Sequence, residues 1–454
     1  MGSEPKRIKL EEKSSPTANE TQFLNLNDDC IFEIFDRLLT IDWYSMSLTC
    51  ERLQKLALDH FQRKFPDEAI TIQSKAVKGE ISYIFSGTNG HPVKLIPNVK
   101  IVNVQRSKRL FEFIRAECCP KLKTLSITTN DSISTINGGR IKGQLKELES
   151  LAIFKLNSKT DIYNVFLKHC PKLEHLTIET MNDWKANWML YSYPQLKSLS
   201  FLVDCRKPYR EQFGQLAGQF FRNNPGVEDI SCIGGWSLNP ILLNVSKIES
   251  LAIEIKTYDN LAEILGSLKN YCQRSPIECL EFDMTNLRLP VEALKMLNDF
   301  NQIYPIHGLS GTFDNDEILT REITLNILGL KQLKDLDIIV MSGWLEFSDL
   351  FGDVAHLLAM GLVHLEELKI YCQYYEKKFV LEEFMAPFIR FALKMKKLTL
   401  SSNFHPWWFR FSQDDFIKLK ADRLILTGAC SMEICIAPRE GFLQKFNIPS
   451  KVAK

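Results

Sequence analysis

Leu148-Glu149-Ser150-Leu151-Ala152-Ile153 and Leu173-Glu174-His175-Leu176-Thr177-Ile178 carry one pattern. An apolar residue is followed by a second three positions on and a third two beyond that. Working outward, the pattern recurs at Leu122, Leu125 and Ile127, at Leu196, Leu199 and Phe201, and at Val227, Ile230 and Cys232. It continues at Ile248, Leu251 and Ile253, and at Ile277, Leu280 and Phe282, and fades at Ile306 and Leu309. Leu333, Leu336 and Ile338 restore it, then Leu365, Leu368 and Ile370. Leu398 with Leu400, and Leu424 with Leu426, close the series. Centred on Leu125 through Leu424 there are twelve copies, spaced by 21 to 32 residues. Val99, Val102 and Val104 read as a further degenerate copy.

Two apolar residues one apart point to the same face of a short strand. Between the copies lie helical spacings, such as Leu261, Ile264, Leu265 and Leu268, or Leu350, Val354, Leu357 and Leu358. One strand and one helix cannot bury their apolar faces alone, so neighbours must stack into a continuous core. The period is that of a slightly stretched leucine-rich repeat. The expected fold class is α/β, a curved solenoid over residues 99–454 with parallel strands on the concave face and helices on the convex face. The repeat's turn asparagine appears only at Asn130 and Asn403, which predicts uneven curvature.

Upstream the character differs. Residues 1–20 are polar and charged and are expected to be a disordered tail. They hold Lys6-Arg7-Ile8-Lys9, which resembles a nuclear import signal and equally suits a solvated charge run, so the expected location is nucleus, cytoplasm or both. Over 21–65, Asp28 or Asp29 is placed to cap a helix, and Ile31, Ile34, Phe35, Leu38 and Leu39 follow on one helical face. A second apolar group is Trp43, Met46, Leu48, Leu53 and Leu56. So short a stretch cannot bury all of this surface, and part of it should meet a partner. Residues 66–98 read as a linker or an N-terminal cap, with a strand at Ile70-Thr71-Ile72 and a turn at Gly87-Thr88-Asn89-Gly90.

Leu26-Asn27-Asp28-Asp29-Cys30-Ile31-Phe32-Glu33-Ile34-Phe35-Asp36-Arg37-Leu38, with Thr49-Cys50-Glu51-Arg52-Leu53, resembles an F-box. It departs from the family pattern at Asn27, where Pro is usual, and at Leu53, where Trp is common. Cys119-Pro120 and Cys170-Pro171 are similar to the repeat junctions of F-box/leucine-rich-repeat proteins. The resemblance implies a substrate receptor of an SCF-type ubiquitin ligase. The F-box docks on the Skp adaptor, and through it on a cullin–RING scaffold, while the repeats hold a target for ubiquitin-dependent, proteasomal degradation. Leu26, Ile31, Ile34, Phe35, Leu38 and Leu39 would then divide between the domain core and the adaptor groove. The alternative is a repeat-based protein-binding scaffold without ligase function.

Composition narrows the rest. Lys and Arg total 56 and Asp and Glu 55, which argues against bulk nucleic-acid binding. No apolar run is long enough to span a bilayer, and Met1 to Glu20 lacks the apolar core of a secretory signal, so no membrane partner is expected. The 12 cysteines include no Cys-x-x-Cys pair and are expected to be reduced and buried. The eight histidines form no His-Glu-x-x-His motif, and no phosphate loop or nucleophile elbow is present. No catalytic residue, metal or cofactor is expected.

The surface that carries information is the strand face turned away from the helices. Glu179, Asp229, Glu254, Glu281, Asp283, Asp335, Asp337 and Glu367 fall there against Lys369 and Lys397. An inner wall of one sign focuses its field on an opposite charge, so a basic target segment is expected. Trp184, Trp236, Trp344, Trp407 and Trp408 each follow a strand core, with Trp188 further along the loop of Trp184. They suit a binding rim and equally suit caps on the core ends.

Overall fold

The computed structural model describes residues 25–77, 80–102, 108–128, 141–156, 161–181, 187–204, 210–234, 238–313, 317–340, 347–372, 381–402, 413–438 and 444–449. The basic cluster Lys6-Arg7-Ile8-Lys9, the turn residues Asn130 and Asn403, and Trp184, Trp236, Trp344, Trp407 and Trp408 lie outside them. The chain forms two compact units. One is residues 1–149 with 168–170; the other is residues 150–167 with 171–454.

The first unit opens with helices α1 (Asp28–Asp36), α2 (Thr40–Ser47) and α3 (Glu51–Lys64). Strands β1 (Ala69–Val77), β2 (Glu80–Ser86) and β3 (Asn98–Val102) come next, then α4 (Lys108–Glu117) and β4 (Thr124–Thr128). β2 pairs antiparallel with β1, and β1, β3 and β4 run parallel. Ile70, Val99 and Leu125 stand in one buried row. The degenerate copy is thus a strand, but its buried pair is Val99 and Ile101 and not the expected Val102 and Val104, the latter lying outside the described residues. Period-two alternation decides it, because Val102 points to the other face. The turn at 87–90 is made with positive φ at Gly87, Asn89 and Gly90, where glycine and asparagine carry the least strain.

The second unit holds β5 (Ser150–Leu156), β6 (His175–Met181), β7 (Ser198–Asp204), β8 (Asp229–Ile233), β9 (Ile248–Glu254) and β10 (Ile277–Arg288). β11 (Gly308–Phe313), β12 (Asp335–Val340), β13 (Glu367–Cys372), β14 (Lys397–Ser402), β15 (Met432–Pro438) and β16 (Gln444–Ile448) complete it. β5 to β15 pair in parallel, each with its sequence neighbour, and β16 closes the last edge antiparallel to β15. Helices α5 (Ile162–Val165), α6 (Arg210–Asn223), α7 (Leu238–Asn244), α8 (Leu261–Cys272) and α9 (Val291–Asn301) lie between successive strands. So do α10 (Glu317–Ile327), α11 (Phe347–Gly361), α12 (Leu381–Phe391) and α13 (Gln413–Leu424). From α6 onward each helix packs on the next.

This is the arrangement of a leucine-rich-repeat solenoid. Leu176 and Ile178 point into the helix layer and are buried, while Thr177 between them is half-exposed on the open face. Leu261, Ile264, Leu265 and Leu268 return the contact from α8. The weak copy at Ile306 and Leu309 is a true strand, with Leu309 in register between Phe282 and Leu336. The copy at Leu424 and Leu426 is not. Leu424 ends helix α13, and the strand forms at Met432–Pro438, where Ile434 and Ile436 supply the buried pair.

Buried amides on the helix side tie repeats together. Gln144 Nε2 donates to the carbonyls of Cys119 at 2.7 Å and Ile114 at 3.3 Å in the first unit. In the second, Asn224 Oδ1 accepts from Tyr193 N at 2.5 Å, and its Nδ2 donates to Phe220 O at 2.9 Å and Tyr191 O at 3.1 Å. Asn224→Ala leaves the buried Tyr193 N–H and the part-buried Tyr191 carbonyl without this partner, while Phe220 O keeps the Asn224 backbone N–H, and is expected to cost about 1–3 kcal/mol in chemical denaturation. A loss within 0.5 kcal/mol or so, the range of a surface substitution, would show the amide to be dispensable. Cys119 and Cys170 are buried, and burial pushes their thiols up to about 11 and about 12, so at neutral pH they are inert filling.

Candidate functional site

Two surfaces stand out, one in each unit. In the first, Asn27 Oδ1 accepts from Cys30 N at 2.8 Å and caps α1. The expected caps, Asp28 and Asp29, instead occupy the first turn, where carboxylates favour the helix dipole. Asp28 is also held by Arg52 at 2.6 Å, and the same guanidinium reaches the Leu26 carbonyl at 2.5 Å. Position 27 therefore gains a side-chain cap where a proline would only preset the backbone. Leu53, at the point where Trp is common, is buried.

The apolar face of α1 splits by helical geometry. Ile31 and Phe35, four apart, are fully buried with Trp43, Leu56 and Phe61. Trp43 Nε1 donates to Phe35 O at 2.7 Å, which locks α2 onto α1. Ile34, one position before Phe35 on the helix, lies at the edge of that core, and Leu38 falls two residues past the helix end. Leu38 is 36% exposed, Leu39 72%, Ile41 53% and Leu48 66%. The structure thus assigns Ile31 and Phe35 to the core and leaves Leu38 and Leu39 outside it. Ile34 and Leu26 are half-buried between the two sets. Ile41 and Leu48, seven apart on and just past α2, extend the exposed ridge. The sequence pattern put Leu48 in one apolar group with Trp43, Leu53 and Leu56, which are buried, without dividing core from surface, and passed over Ile41.

Behind the ridge the small domain is fixed to the rest of the first unit. His60 is buried between Phe32, at 5.2 Å between ring centroids, and Trp43, at 4.9 Å. Burial holds its pKa below the usual value although Asp36 lies 3.2 Å away. His91, from the chain after β2, bonds Thr40 Oγ1 at 3.0 Å and packs its ring on Phe61 and Phe65.

The second surface is the open face of the second unit. One row across the strands reads Ala152, Thr177, Ser200, Ser231, Ala252, Glu281, Gly308, Asp335, Glu367 and Lys397. Its first half is small and neutral and its second half charged, so the acidity is local, not spread along the whole face. Asp283, Ser310, Asp337 and Lys369 form the next row. Gly308 and Ser310 leave a depression of about 250 Å³ over β11, lined by Glu281, Asp283, Asp335, Asp337, Glu367 and Lys369. A side chain at Gly308 would strike Glu281, whose Cγ lies 2.6 Å from where a Cβ would sit.

Glu254 stands beside Asp283 but outside the depression, only 13% exposed at its side chain and 3.7 Å from Lys256. Glu179 is opposite Leu202, and Asp229 opposite Ser198 and Ser250, both distant in register from the acidic group. Trp188 is buried against Phe220 at 5.3 Å, so this tryptophan belongs to the core and not to a rim.

Burial raises the Asp335 carboxyl above its ordinary value, and Glu281 and Glu367 raise it further. Burial also raises Asp337; Lys369 opposes the shift and Asp283 adds to it. Five carboxylates around one lysine are therefore short of positive charge. Among the described residues no group of three or more His, Cys, Asp or Glu side chains could hold a metal ion, and no helix is long and apolar enough to cross a membrane.

The F-box domain family model matches residues 23–62. Residues 23–62 are an F-box. F-box domains generally bind Skp adaptors, and this F-box supplies helices α1 to α3 of the first unit. No curated protein sequence matches the chain significantly. Among solved structures the chain is similar to the leucine-rich repeat-containing protein LegL7 from Legionella pneumophila. The two share 12% identity with a TM-score of 0.37, over 71% of this chain and 97% of that one.

Proposed function

We propose that this F-box protein is a substrate-recognition subunit of an SCF-type ubiquitin ligase. The observation that carries the reading is the exposed ridge Leu38, Leu39, Ile41 and Leu48 on an F-box whose own core is already full. Apolar surface left on so small a domain gains free energy when a partner covers it. The F-box then holds the Skp adaptor and, through it, the cullin–RING scaffold. The repeats hold the target, and the chain itself performs no covalent step. It raises the concentration of target lysines near another protein's thioester.

Reconstitution tests this. The full chain, purified Skp adaptor and cullin–RING scaffold should co-elute as one complex. Proximity labelling with and without proteasome inhibition should then enrich targets only when degradation is blocked. Failure of the complex to form would leave a protein-binding scaffold without ligase function.

The target segment is basic on this reading, and the depression over Gly308 receives it. A cation favours the ionised forms of Asp335 and Asp337, so binding releases protons. Their folded pKa values are raised, so the strain of holding them charged is absent below the ordinary carboxylate value and present above the raised one. Affinity for a lysine-rich probe peptide should hold at neutral pH and weaken as pH falls through the raised values. It should also fall steeply with ionic strength. Fluorescence titration measures both, and a response flat in salt and pH would remove the acidic face from the account.

A further inference from the structure

Resting on the F-box as the adaptor dock, we propose that the adaptor's footprint runs off the F-box into an adjoining groove, filled there by an acidic segment of the adaptor. The groove has a volume of about 210 Å³ and lies wholly within the first unit. Tyr44, Leu48 and Leu58 wall it from the F-box, and Lys94, Leu95 and Arg115 from the stretch before β3 and from α4. Leu58 and Leu95 are buried and give it an apolar floor. Leu48 belongs both to this groove and to the exposed ridge, so the two surfaces are continuous.

Charge selects the occupant. Lys94 and Arg115 are the charged residues of the lining, and no carboxylate lines it. Among the described residues neither cation has an ion-pair partner. Elsewhere in this unit Arg52 is paired with Asp28, Lys64 with Asp36 and Lys123 with Glu149. A neutral chain laid over Lys94 and Arg115 would strip their water without return, whereas carboxylates replace that water with charge-assisted bonds. Two cations over an apolar floor suit an acidic peptide with an apolar anchor. A nucleic-acid strand wants a longer basic track.

The test titrates purified Skp adaptor against the full chain and two variants, Lys94→Glu with Arg115→Glu, and Leu38→Asp with Leu39→Asp. Both changes fall on surface side chains. The charge-reversed variant should bind about tenfold more weakly at low salt, the two curves converging as salt rises. Carbodiimide treatment of the wild-type complex should join Lys94 to an aspartate or glutamate of the adaptor. If charge reversal leaves affinity and salt response at wild-type values while the leucine variant loses binding, the groove proposal falls and the adaptor dock stands. If neither variant changes binding, or the wild type does not bind, the dock itself fails. Cross-links that spare Lys94 would also overturn the groove.

Discussion

Leu38→Asp with Leu39→Asp is expected to abolish capture of the Skp adaptor while leaving thermal unfolding of the chain within a degree or two of wild type. The two side chains stand on the exposed ridge, so the free protein loses little packing when they change. In a complex they would be covered, and burying two carboxylates against an apolar groove without partners costs several kcal/mol. At about 1.4 kcal/mol per decade, affinity falls by at least about a hundredfold. Phe35→Asp is the opposing control. Phe35 is buried and its carbonyl holds Trp43, so this change should unfold the F-box and lose binding for a structural reason. Pull-down with differential scanning fluorimetry separates the two. Wild-type capture by the Leu38 and Leu39 variant would remove the ridge as the dock.

The same residues show how far the sequence could be read. Ile31, Ile34, Phe35, Leu38 and Leu39 were legible as one apolar face, because helical spacing is visible in a string of letters. Their division into core and exposed ridge was not, because it depends on where Trp43 and Phe61 arrive. The repeats were legible for a related reason: Leu176 and Ile178 and their counterparts obey period two and align from strand to strand, the register shifts in β5 and β10 falling past them. The Gly308 depression was only half visible. The acids could be picked out, but their grouping depends on β10, which pairs Glu281 with Ala252 on one side and with Gly308 on the other. Glu254 looked equivalent in the sequence and is set apart by Lys256. The five loop tryptophans outside the described residues remain expectations.

The last repeat is where the period misled, and it yields the largest expected loss of stability. Arg423-Leu424-Ile425-Leu426 mimics a strand core, yet the chain is helical to Leu424 because Arg423 is wanted inside. Its guanidinium is fully buried and surrounded by carbonyls. Nη1 donates to Ile389 O at 3.0 Å and Ala392 O at 3.2 Å, Nη2 to Met395 O at 2.9 Å, and Nε to Cys430 O at 3.1 Å. Ile389, Ala392 and Met395 sit at and beyond the end of α12, where a helix leaves carbonyls without intrahelical donors. One planar fork spans them all, and an ammonium could not. Burial lowers the Arg423 pKa, but a guanidinium keeps its charge at any pH the fold survives.

Arg423→Met should therefore cost about 3–5 kcal/mol, because it leaves several buried carbonyls without a donor at about 1–3 kcal/mol each. Because repeats couple mainly to their neighbours, the loss should be local. Hydrogen exchange should accelerate across 381–438 while 248–340 keeps its protection, and adaptor binding by the F-box should not change. Leu424→Ser is the discriminating partner. Were Leu424 the core of a strand it would be the costlier change. As a half-exposed residue at a helix end it should cost much less than Arg423→Met. The reverse order would restore the strand at Leu424 and dismiss the arginine as the clamp of the last repeats.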